Sequence, residues 1–162
     1  MKEKKIKARA RKGKQIVQVA ALPFRRGEDG GTEFLLLTSR QTQRFVLPKG
    51  WPMKGKSEAE AAAQEAEEEA GISGTHAKRP IGRYRYWKRL SAAFVPITVA
   101  VYPLLVEKQR RSWKEMRARS RAWLSPSQAA LLVDEPGLID LFRDMAEMEP
   151  DLLYETLEKV LA

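Results

Sequence analysis

Between Gly50 and Ile72 the chain reads GWPMKGKSEAEAAAQEAEEEAGI, and here lie the side chains best suited to chemistry. On a helix, Glu65, Glu68 and Glu69 are spaced i, i+3 and i+4, which sets three carboxylates on one face within about one turn. Such charges repel unless a cation lies among them, and a hard divalent ion with oxygen ligands is the natural neutraliser. Magnesium often shares carboxylates with the oxygens of a phosphate chain, so the spacing points to phosphoanhydride chemistry.

Local signals predict the helix that this spacing needs, over residues 58–70. Ser57 followed by Glu60 is a capping-box pattern, alanines at 59, 61, 62, 63 and 66 favour helix, and Gly71 supplies a stop. A solvated acidic helix is the bland alternative, since Glu58, Glu60 and Glu67 share the stretch. The frame argues against it: LPKG leads in and Gly71-Ile72 closes. Glycine at position 50 lets the backbone come close, which makes the Gly50 carbonyl a further candidate metal contact.

These residues resemble the Nudix box, whose pattern is G-x5-E-x7-R-E-U-x-E-E-x-G-U with U aliphatic. Gly50 fits the first glycine, Glu65 the acid before U, Ala66 the U, Glu68-Glu69 the acid pair and Gly71-Ile72 the close. Two positions depart: Lys56 replaces the first Glu of the pattern and Gln64 its Arg. An acid and a base lost together read as a missing structural ion pair rather than two lost catalysts. The resemblance implies an α/β/α sandwich with a mixed β-sheet and a Mg2+-dependent pyrophosphohydrolase, Mn2+ being a workable substitute. Glu65, Glu68 and Glu69 are then the metal ligands and catalytic acids, with Glu69 or Glu65 also able to orient or deprotonate water.

Basic residues must grip the anionic substrate. Arg40, Arg44, Lys49, Lys54 and Lys56 bracket the entry to the acidic helix, and arginine suits bidentate phosphate contacts. The segments RFVLPKGWPMKGK and RSRAWLSPSQAALLVDEPGL are similar to the diphosphoinositol polyphosphate phosphohydrolase branch, which also hydrolyses diadenosine polyphosphates. That likeness implies phosphate contacts from Arg44, Lys49, Arg119 and Arg121. ADP-ribose hydrolases often carry a proline downstream of the box where this chain has Lys88, which weakens that substrate. Trp51, Tyr84, Tyr86 and Trp87 could stack on an adenine, or simply pack. Glu107 and Glu115 are candidates for an outlying base, each weighed against a plain surface charge. His76 is the only histidine, so histidine pairs are excluded.

The elements that must position these residues follow along the chain. Strands are predicted at residues 15–24 and 33–38 around a Gly27–Gly31 turn, with an extended segment at 44–47. Further strands fall within 78–88, 97–107 and 121–124, and helices at 125–133, 138–148 and 151–161. Strands, a central helix, more strands and terminal helices make an α/β sandwich.

A chain of 162 residues is most simply one domain, assigned to residues 15–162. Residues 1–14 hold eight of the 30 basic residues and one of the 21 acidic residues, so most of the +9 net charge sits there. Such a block reads as a disordered tail, either solubilising or in weak contact with a nucleic acid. No apolar run is long enough for a membrane helix, no secretory signal is evident, and no cysteine is present, which fits a reducing cytoplasm. The expected partner is a small-molecule polyphosphate, and the oligomeric state is open. A Nudix-fold protein that binds nucleotides without turnover is the alternative that Lys56 and Gln64 keep in view.

Overall fold

A computed structural model describes residues 1–161, and residue 162, the end of the expected domain, lies outside the described residues. In chain order the elements are α1 (Glu3–Arg11), β1 (Val17–Arg26), β2 (Thr32–Thr38), β3 (Phe45–Val46), β4 (Lys49–Gly50), α2 (Glu58–Ala70) and β5 (Ile72–His76). There follow β6 (Gly82–Arg89), β7 (Phe94–Gln109), β8 (Arg121–Leu124), α3 (Pro126–Leu132), α4 (Pro136–Glu147) and α5 (Pro150–Lys159).

The strands form one mixed sheet with β3, β2, β1, β7 and β5 side by side, β4 also pairing with β1, β6 with β7 and β8 with β2. β1 and β7 run parallel from Val17 opposite Thr98 to Phe24 opposite Leu105, while β1 and β2 form the expected hairpin with Phe24 facing Phe34. Alternation along the strands divides the core in two. Ala20, Leu22, Phe24, Phe34, Leu36, Ile97, Val99 and Val101 point to the face covered by α1, α3, α4 and α5. Val19, Ala21, Leu35, Leu37, Ala100, Tyr102 and Leu104 point to the face covered by α2. The fold is therefore the expected α/β/α sandwich.

The helix that carries the acids is built as its sequence dictates. Ser57 Oγ accepts from the Glu60 amide at 3.1 Å and the Ser57 amide donates to Glu60 Oε2 at 2.7 Å, closing the capping box. Gly71 ends the helix in the left-handed region at φ 66°. Ala59, Ala61, Ala62, Ala66 and Ala70 are buried, and their small size lets the helix lie close on the sheet.

Residues 3–11 correct the expectation of a disordered tail, because they form α1. Ile6 is 1% exposed and Ala10 packs against the same core, an i, i+4 apolar pair that anchors an otherwise basic helix. Glu3 pairs with Lys7 at 2.8 Å and accepts from the Ser91 amide at 3.2 Å, which ties α1 to the loop between β6 and β7. Two short strands were not expected. Gly50 pairs with Val19 in β4, and His76 lies in β5 instead of a loop.

Candidate active site

β4 brings Gly50 against the middle of α2. A Cβ at position 50 would overlap the Glu65 carboxylate, so only glycine permits this approach. Glu65 shares a side-chain hydrogen bond with Glu69, and its pKa is raised, first by burial and then by the Glu68 and Glu115 charges. Glu69 is 5% exposed, and burial, reinforced by Glu65 and Glu115, pushes its pKa up to about 8 against the pull of Arg119 and Lys49. Arg119 Nη2 lies 3.8 Å from Glu69 Oε2. Two buried carboxylates thus share one proton-rich site with Gly50.

The segment between β7 and β8 folds onto the end of α2. Trp113 packs over Gly71, where a Cβ would come within 2.7 Å of its ring, and Trp113 Nε1 donates to the Glu69 carbonyl at 2.9 Å. Arg110 pairs with Glu67 at 2.8 Å. These contacts hold Glu115 beside the acids, with its amide 3.3 Å from the Glu68 carbonyl and its carboxylate 3.1 Å from Arg119 Nε. Glu115 therefore joins the cluster. Glu107 does not: it accepts from Thr75 Oγ1 on the β5–β7 pairing.

The departing box positions touch each other. Lys56 Nζ donates to Gln64 Oε1, and Gln64 Nε2 donates to Glu68 Oε1 at 3.1 Å. A charge-assisted bond stands where an ion pair was expected to be missing. It also holds Glu68 toward Lys56, on the side of α2 away from the Glu65–Glu69 pair. Among the described residues, no three His, Cys, Asp or Glu side chains are assembled as a metal cage. The donor chemistry still fits a hard cation: Glu65, Glu69 and the Gly50 backbone are all oxygen donors in one crevice, and Glu68 is three residues from Glu65 on the same face.

The expected substrate-binding residues separate. Lys49 lies between Glu69 and Glu135, whose charges oppose the lowering of its pKa by burial, and its Nζ is 5.1 Å from the Tyr86 ring. Arg119 faces Glu69. Arg44 reaches Asp134 Oδ2 at 3.3 Å and Glu135 Oε1 at 3.5 Å. Lys54 stands exposed in the turn before α2. Arg121 is a correction to the expected phosphate contact: its Nη1 donates to the Ala70 and Arg110 carbonyls at 3.0 and 3.1 Å, and its guanidinium stacks 3.9 Å from Trp113. It braces the loop that carries Glu115.

A cleft of about 690 Å³ adjoins Lys49 and is lined by Arg44, Tyr84, Tyr86, Trp87 and Glu135 among others. The aromatic candidates divide accordingly. Trp51 packs near α1, Tyr84 is buried, and Tyr86 and Trp87 line the cleft. Neither Glu135 nor Trp113 was expected at the site. Asp134-Glu135-Pro136-Gly137 reads as a turn, and only the fold brings it to β6.

The family model described as NUDIX domain matches residues 14–145. Nudix hydrolase 18, mitochondrial, of Arabidopsis thaliana is 29% identical over 127 residues, which cover 75% of this chain and 70% of that protein. Nudix hydrolase 21, chloroplastic, of the same plant is 32% identical over 114 residues, covering 68% of this chain but only 56% of its own length. A C. elegans Ap4A hydrolase binary complex superposes with a TM-score of 0.59 at 20% identity, over 81% of this chain and 95% of that one, a likeness of fold. A family match across most of the chain, with the box acids in register on α2, shows that the chain belongs to the NUDIX family of phosphoanhydride hydrolases.

Proposed function

We propose that the chain hydrolyses a phosphoanhydride bond in a polyphosphate-rich substrate, a diadenosine polyphosphate or a diphosphoinositol polyphosphate, with Mg2+ or Mn2+ as cofactor. The observation that carries the reading is the Gly50–Glu65–Glu69 crevice, where two buried carboxylates meet without a cation of their own beyond Arg119 at 3.8 Å. Glu65, Glu69 and the Gly50 carbonyl would hold the metal, with Glu68 completing the set. The bound metal would supply Lewis-acid stabilisation of the phosphate charge and a lowered pKa for water.

The chain's own residues supply the rest. Lys49 and Arg119 stand on either side of Glu69 and offset phosphate charge as it accumulates. Glu69, Glu65 or Glu115 takes the proton from the attacking water, all three lying within one electrostatic cluster. Arg44 and Lys54 are placed to meet outer phosphates.

A turnover assay with magnesium on a panel of diadenosine polyphosphates and diphosphoinositol polyphosphates tests this. At least one member should yield product, and Glu68→Gln should lower kcat about a hundredfold or more. Saturable binding of the panel with no product from any member would leave the binding-only alternative standing instead.

A further inference from the structure

One buried acid near the site is not used by the hydrolysis. Glu135 precedes α4 as its N-cap, yet its side chain makes no capping bond. The residue is 5% exposed and lines the cleft beside Lys49. Oε1 meets Arg44 at 3.5 Å, while Oε2 is buried with no hydrogen-bond partner among the described residues. A carboxylate oxygen stripped of water and given no donor is costly, and the fold keeps it. Gly137 explains how it arrives there: a Cβ would come within 2.9 Å of Tyr84 Cβ, so glycine lets the start of α4 press against β6.

The cleft walls suit an aromatic heterocycle better than a phosphate cage. Tyr86 and Trp87 present rings, and Trp87 is 67% exposed. Arg44 is already engaged by Asp134 and Glu135, so a phosphate group placed against those two acids would be repelled. Exposed Arg83 and Arg85 also line the opening. Glu135 acts on Tyr84, Tyr86 and Lys49 together, and Lys49 in turn feels Glu69, so the cleft and the acid crevice are electrostatically continuous.

We propose that this cleft seats the nucleobase of a nucleoside polyphosphate, with the Glu135 carboxylate accepting a hydrogen bond from an exocyclic amino group while a Tyr86 or Trp87 ring covers the base. The inference rests on the hydrolase reading for the phosphate end and chooses a nucleotide over a diphosphoinositol. A carboxylate welcomes an amino group and repels a carbonyl oxygen at the same position. Adenine should therefore be preferred to hypoxanthine, from which it differs at that group.

The test is calorimetric titration of the full chain carrying Glu68→Gln, with magnesium, against adenosine triphosphate, inosine triphosphate and inorganic tripolyphosphate. The adenosine ligand should bind at least about tenfold more tightly than the other two. Glu135→Ala and Glu135→Gln should each erase most of the adenosine–inosine difference, since alanine removes the acceptor and glutamine can offer either an acceptor or a donor. Equal binding of the two nucleotides, or tripolyphosphate binding as tightly as either, overturns the proposal. A preference that persists in both folded variants also overturns it. Should Glu135→Ala fail to fold, the comparison of nucleotides on the Glu135-containing chain still decides. Base preference without turnover by the unsubstituted chain would keep this inference and remove the hydrolase reading, whereas turnover without base preference would do the reverse.

Discussion

At the scale of single residues, Glu69 shows how a catalytic cluster is stored at the expense of stability. Its pKa is raised by burial to about 8, and that of Glu65 is raised for the same leading cause. An acid whose folded pKa lies above its unfolded value binds its proton more tightly in the folded state. That contribution is fully present below the unfolded pKa and is lost as pH rises toward 8. With metal chelated, Tm should therefore fall between pH 5 and pH 8. Glu69→Gln removes the penalty, so at pH 8 it should stabilise the metal-free chain by on the order of 1–3 kcal/mol, about 3–10 °C in Tm, while abolishing turnover. A thermal melt of both chains at the two pH values checks this, and equal slopes would show that Glu69 is not the group responsible. Saturating Mg2+ should shrink or invert the slope, because metal favours the deprotonated acids.

Among the elements, legibility followed locality. α2 was readable to its ends because capping box, alanine content and the Gly71 stop all lie within the segment itself, and β8 matched residue for residue. The carboxylate spacing, Gly50 and the joint departure at Lys56 and Gln64 were likewise local. What escaped depends on distant partners. β4 is two residues whose pairing with β1 exists only in the sheet, and Glu135 enters the site through packing of α4 on β6. Arg121 was misjudged because its carbonyl partners, Ala70 and Arg110, are remote or in an irregular loop. The Lys56–Gln64 contact carries an element-scale prediction. It closes the approach to α2 and holds Glu68, so a double-mutant cycle with Lys56→Ala and Gln64→Ala should give a coupling of about 0.5–1 kcal/mol. Urea denaturation of the four chains measures it. Additive costs would show the contact to be energetically idle. The double exchange Lys56→Glu with Gln64→Arg restores the family's ion pair, and it should retain turnover because neither position belongs to the acid crevice.

For the molecule as a whole, the charge map and the core disagree about what residues 1–14 are for. The charge count isolates them as a basic appendage, whereas Ile6 and Ala10 make α1 part of the cover over one face of the sheet. Both properties act at once, on different faces of one helix, and they separate experimentally. Ile6→Ala should cost about 2–4 kcal/mol, the usual range for emptying a fully buried aliphatic site, and leave retention on RNA at low salt unchanged. Replacing exposed Lys4 and Lys5 by Gln should leave Tm within about 1–2 °C and flatten the salt dependence of any RNA retention. Deleting residues 1–14 should then do both, lowering Tm because the core face under Ile6 opens to water. A truncated chain melting at the same temperature as the full one would show that α1 is an ornament on a core complete without it. Loss of stability on truncation, with no change in salt-dependent retention, would leave packing as the reason this basic segment is folded at all.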